Sequence, residues 1–106
     1  MNLEALAESL KLDVEVVEKM AVTFVTASTQ DLRELEQALA AHDAKAVARV
    51  AHHIKGAAAT LELEDIYAEA EVLERQGRGG SLEGAALRLS CLQDRLAALA
   101  KELSRP

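Results

Sequence analysis

Apolar side chains recur every three or four residues through nearly the whole chain, and nothing inside that pattern breaks a helix. The only proline is residue 106, and aromatic residues make up 2% of the sequence. Residues Leu82, Ala85, Leu89, Leu92, Leu96, Leu99 and Leu103 follow a heptad-like rhythm, and Val14, Val17, Ala21, Phe24, Ser28, Leu32, Leu35 and Leu39 follow the same spacing. One apolar stripe at this period makes an amphipathic helix, which must bury that stripe against other helices. With so few aromatic and β-branched runs, strands have little support. The chain is therefore read as all-α.

Punctuation divides the pattern. Leu3 to Leu10 form a short leading helix. Asp13 is placed to cap a second helix, within which Thr26, Ser28, Thr29, Gln30 and Asp31 form a polar stretch that bends it or starts a new one. Ala41-His42-Asp43 reads as a tight connection, with Asp43 capping a helix that runs to about Leu61. A turn at Glu62 to Glu64 leads to a helix carrying Leu63, Ile66, Ala70 and Leu73, which Gly77, Gly79 and Gly80 end. Ser81 is read as the cap of the last helix. Four long amphipathic helices with short connections predict an antiparallel up-down-up-down four-helix bundle, preceded by the short N-terminal helix, with residues 1–106 as a single domain and the bundle over about 13–103.

Charge and composition exclude several functions. A formal net charge of −6 argues against a nucleic-acid partner. No apolar run approaches the roughly 20 residues that cross a bilayer, and the acidic N-terminus does not read as a signal peptide. The single cysteine, Cys91, excludes an internal disulfide and is read as a partly exposed thiol in a cytoplasmic protein.

The informative segment is Ala51 to Leu61. With Val47, Val50, Ile54, Ala58 and Leu61 as the buried stripe, His52 falls about 170° from the stripe's centre and faces solvent. Ala48, Gly56 and Ala59 flank it along that face. Gly costs about 1 kcal/mol against Ala inside a helix, so Gly56 has little local reason to be there. A bare histidine among small residues suits a partner that brings its own reactive group onto the ring. Neutral imidazole is a good nucleophile near neutral pH and can hold a phosphoryl group. One nitrogen attacks phosphorus, while the other carries a proton and needs an acceptor. Lys55, roughly 60° around the helix, can reach phosphoryl oxygens as a cation, and Arg49 flanks the other side. Lys55 is otherwise an exposed charge whose loss costs little stability. Glu74 is the candidate acceptor, because it sits about 60° from the centre of its helix's apolar stripe. A carboxylate so near the core needs a hydrogen-bond donor. His53, roughly 90° from the stripe, is read as a boundary residue.

Alone, each of these residues has an ordinary surface role; their common register is what separates them from that reading. The segment Ala51-His52-His53-Ile54-Lys55-Gly56, followed by small residues and Leu61, resembles the signature of histidine-containing phosphotransfer (HPt) domains. The family's downstream Leu-Glu is matched by Leu73-Glu74, and its upstream Phe by Phe24. The resemblance implies that His52, not His53, is phosphorylated. It implies a phosphorelay intermediate that takes a phosphoryl group from a receiver-domain phospho-aspartate and passes it to another receiver. It implies response-regulator receivers and a hybrid or sensor histidine kinase as partners of a monomeric carrier. Mg²⁺ then belongs to the receiver, with no metal or cofactor bound by this chain, and without a nucleotide-binding loop the carrier is no kinase. The alternatives are the phosphoacceptor domain of a chemotaxis-type kinase and a helical adaptor bundle without phosphotransfer. One position departs: the family pattern places Gly after Leu61, where it serves a helix C-terminus, and this chain has Glu62.

Overall fold

The computed structural model describes residues 1–104. Five helices run in order: α1 (Leu3–Leu10), α2 (Val14–Ala40), α3 (Ala44–Thr60), α4 (Glu64–Gly79) and α5 (Ala85–Leu103). No strand occurs among the described residues. Each of α2 to α5 packs on its neighbour in sequence, α5 returns onto α2, and α1 lies on α2. The four long helices thus enclose one core. The long dimension, 41 Å, is close to the roughly 40 Å expected for the 27 residues of α2 at 1.5 Å per residue.

The stripe predicted for α3 is buried throughout: Val47, Val50, Ile54, Ala58 and Leu61, joined by Ala51. Leu35, Ile54, Leu73, Leu92, Val17 and Val47 are the largest side chains fully removed from solvent. Burial of each such side chain is worth about 1.5–3 kcal/mol. In α5 the heptad positions Ala85, Leu89, Leu92, Leu96 and Leu99 face the core. In α2 the stripe begins at Val17 rather than Val14, which is exposed, and it ends on Ala38 with Leu39 half-buried.

Several helix ends differ from expectation. The polar stretch Thr26 to Asp31 does not interrupt α2. Thr26 and Thr29 turn their hydroxyls onto the carbonyls of Val22 and Val25, at 3.1 and 2.7 Å, so they bond to the helix itself rather than compete with it. Asp13 occupies the N-cap position without a side-chain cap bond. Asp43 does cap α3, accepting the Ala46 N–H at 3.1 Å. Ser81 does not cap α5; the chain makes one more turn, and Gly84, at φ 78°, holds the N-cap position. Gly77 does not end α4 but lies buried within it, and the helix closes at Gly80 in the left-handed conformation.

The departure at Glu62 is absorbed by the backbone. Glu62 sits at φ 56°, in the left-handed region that a glycine would favour. Its N–H donates to Ala59 O at 3.1 Å, and that of Leu63 donates to Ala58 O at 2.9 Å, the pair of bonds of a Schellman motif. The Glu62 carboxylate accepts the Ser9 hydroxyl at 2.7 Å, tying α1 to the turn after α3. Lys11 and His42 take the same backbone conformation after α1 and α2.

Candidate functional site

The site lies where α3 and α4 pack together. His52 projects outward with its side chain 63% exposed, while Glu74 on α4 is only 3% exposed. His52 Nδ1 and Glu74 Oε2 are 2.9 Å apart. Two cations complete the set around the carboxylate: Lys55 Nζ at 2.5 Å from Oε1, and Arg78 Nη2 at 2.6 Å from Oε2. A buried carboxylate is tolerable when it is paired and hydrogen-bonded, and Glu74 has three such partners. It is deeper than the core-edge position read from its helix alone.

The hydrogen bond from Lys55 holds the Glu74 carboxyl below its ordinary range. Burial opposes this, and the hydrogen bond from His52 and the charges of Lys55 and Arg78 reinforce it. The hydrogen bond to Glu74 likewise raises Lys55 above its ordinary value, against desolvation. Glu74 is therefore ionised at neutral pH and can only accept. It follows that the proton of a neutral His52 ring sits on Nδ1, which leaves the Nε2 lone pair for chemistry. Lys55 is less exposed than expected, with its Nζ 6.0 Å from the centroid of the Tyr67 ring and turned towards Glu74.

The flanking positions divide. Gly56 and Ala59 are exposed, and a Cβ added at Gly56 would meet nothing within 4 Å. No packing among the described residues requires that glycine. Ala48, read as part of the same outer face, is half-buried, because its backbone abuts Gly77 of α4. Arg49 leans away onto Glu34 of α2, at 3.8 Å. His53 is exposed rather than at a boundary, and its Nδ1 lies 2.7 Å from Asp31 Oδ2 across the α2–α3 contact. Cys91 is half-buried and carries a free thiol.

Sequence reading missed Arg78, although its position four residues after Glu74 is the spacing of a helical ion pair. It also missed Asp31, for which no local signal exists. Among the described residues, no group of three or more His, Cys, Asp or Glu side chains could hold a metal ion, and no helix is long and apolar enough to cross a membrane. The arrangement can present one oriented imidazole nitrogen, beside two cations, to a reactive group brought from outside.

Compared with known families, the chain matches the model described as Hpt domain over residues 19–102. That span includes every residue around Glu74. No curated protein and no solved structure matches the chain.

Proposed function

The chain belongs to the Hpt domain family, whose members are phosphocarrier modules of two-component signalling and not kinases, and from that premise we propose that it is a phosphorelay intermediate carrying the phosphoryl group on His52. A receiver-domain phospho-aspartate is the donor and the aspartate of another receiver is the acceptor. The observation that carries this reading is the 2.9 Å contact between exposed His52 and buried, ionised Glu74.

In the transfer, the Nε2 lone pair attacks phosphorus. The bond from phosphorus to the aspartyl oxygen breaks, and its electron pair returns to the receiver's carboxylate. Nδ1 keeps its proton, donated to Glu74, so the positive charge developing on the ring faces a fixed negative charge. Such transfers depend on in-line positioning and charge neutralisation more than on covalent help from the carrier. Lys55 and Arg78 supply positive charge beside the ring for the phosphoryl oxygens. Mg²⁺ belongs to the receiver's acidic pocket. Gly56 and Ala59 leave room for the receiver's loops, and Ala48 and Arg49 border that surface. The relay reading places the carrier in the cytoplasm as a monomeric single domain over residues 1–106, with its four long helices running up-down-up-down. The short connections and the return of α5 onto α2 support that order.

The test is incubation with phosphorylated receiver domains, followed by analysis of label on the chain. Acid-labile, base-stable label confined to His52 is the expected result. No label from any phosphorylated receiver, with the receivers shown to be active on another carrier, would overturn it.

A further inference from the structure

Gly77 is buried in the last turns of α4 and faces the backbone of α3. A Cβ built on it would lie 2.6 Å from Ala48 N, 2.7 Å from Ala44 O and 2.9 Å from Ala48 Cα. All three are main-chain atoms, so no side-chain rotation relieves the contact. Gly79, two residues on, has nothing within 4 Å of the same added atom. A glycine inside a helix costs about 1 kcal/mol relative to Ala, and at Gly77 that cost is matched by a close approach that no other residue permits. One helical turn before Gly77, on the same helix, stands Glu74, whose carboxylate reaches across the same α3–α4 contact to His52 and Lys55.

We propose that Gly77 is a positioning residue for phosphoryl transfer: by letting α4 lie against the Ala44–Ala48 backbone, it sets the helix separation at which Glu74 can hold the His52 ring. The proposal rests on His52 being the phosphoacceptor. Its geometry is independent of any partner. An alanine at this position must move α4 outward by on the order of 1 Å to bring its Cβ to ordinary contact distance, a displacement that can cost about 100-fold in rate when it falls on a reacting group. The helices themselves tolerate such a shift better than the hydrogen bond does, because a short polar contact loses strength steeply as its geometry degrades.

Four variants, each in the full chain, test the role: Gly77→Ala, Gly79→Ala, Glu74→Ala and the double variant Gly77→Ala/Glu74→Ala. Circular dichroism reads the fold, nitrogen-15 chemical shifts of the His52 ring read its tautomer, and transfer from a phosphorylated receiver reads function. Gly77→Ala is expected to keep its helix content, lose the preference for the Nδ1–H tautomer and slow transfer about 10- to 100-fold. Gly79→Ala is expected to match the wild type in all three. In the Glu74→Ala background, Gly77→Ala is expected to slow transfer less than twofold further, since no carboxylate remains to be positioned. Equal slowing in both backgrounds, or an unchanged ring tautomer in Gly77→Ala, overturns the proposal. So does a Gly77→Ala chain that stays unfolded even in sucrose, which favours the compact state, because Gly77 is then a requirement of the fold itself. Should the wild type accept no phosphoryl group, the relay reading fails, and the tautomer measurement still judges the role of Gly77.

Discussion

Lys55 and Glu74 form an ion pair of 2.5 Å between α3 and α4, on the carboxylate whose other oxygen takes the Nδ1–H of His52. One buried carboxylate thus links the cation and the imidazole, and the two cannot be perturbed independently. Removing Lys55 frees Glu74 to rise towards its ordinary pKa, because the Lys55 hydrogen bond is the largest cause of its depression. Lys55→Ala is therefore expected to slow transfer and also to lower the thermal midpoint. This differs from the sequence-based expectation that Lys55 is an exposed charge whose loss costs little stability. Thermal unfolding followed by circular dichroism, beside a receiver-transfer assay, checks both effects; an unchanged midpoint would show that Arg78 and His52 suffice to hold the carboxylate.

The same group sets an acid limb. The folded-state pKa of Glu74 is depressed below its ordinary value of 4.5. Its stabilisation is therefore fully present above that value and is lost as pH falls through the lower, folded one. Lys55 has the opposite sign: its contribution is present below 10.5 and lost as pH rises through its raised folded value. Urea unfolding at a series of pH values should show the acid loss in the wild type and a flatter acid limb in Glu74→Gln. A Glu74→Gln variant that loses stability over the same acid range with the same slope would assign that limb to other carboxylates. In transfer assays Glu74→Gln should be milder than Glu74→Ala, since the amide oxygen still accepts the ring N–H.

His52→Gln is expected to abolish phosphoryl uptake and leave the fold intact, because the side chain stands outside the core. The loss of stability should be about 0.5–1.5 kcal/mol, because one hydrogen bond to buried Glu74 is removed while Lys55 and Arg78 still hold the carboxylate. His53→Gln, which breaks the contact with Asp31, should retain uptake. Label on His52→Gln but none on His53→Gln would move the phosphoacceptor to His53.

Gly56→Leu should fold at least as well as the wild type. Its Cβ enters open space, and Leu is favoured over Gly in a helix by roughly 0.8 kcal/mol. Transfer should nonetheless fall steeply, because the added bulk stands one turn from His52 on the exposed face. A transfer rate equal to the wild type would exclude Gly56 from the receiver's docking surface.

Glu62→Gly is expected to raise stability by about 0.5–1 kcal/mol. A non-glycine residue in the left-handed region costs roughly 1–2 kcal/mol. Part of that relief is offset by the greater chain entropy of glycine, about 0.5–1 kcal/mol. Denaturant titration of Glu62→Gly beside Ser9→Ala separates the contributions. A net loss of stability in Glu62→Gly would mean that the Ser9–Glu62 bond outweighs the backbone relief.

Helix content, the Asp43 cap, the buried face of α3 and the outward direction of His52 were legible in the sequence, because each depends on neighbours within about two turns of one helix. The angular position of His52 follows from the residues around it at helical spacing, whatever α3 packs against. Leu73-Glu74 could be matched to the histidine by spacing within a family pattern, which is also local information. The depth of Glu74, its pairing with Arg78, the contact between Asp31 and His53, and the half-burial of Ala48 were not legible. Each depends on how far apart two helices lie and how they are rotated about their axes, and side-chain packing across the whole core decides both. Gly77 shows the difference most plainly. Along the chain it reads as a helix terminator beside Gly79 and Gly80, and only the approach of the α3 backbone to within a Cβ's reach makes it part of a helix interface. Thr26 to Asp31 fails in the opposite direction: local propensity suggests a break, and packing of Phe24, Ser28, Leu32 and Leu35 against the core keeps α2 continuous.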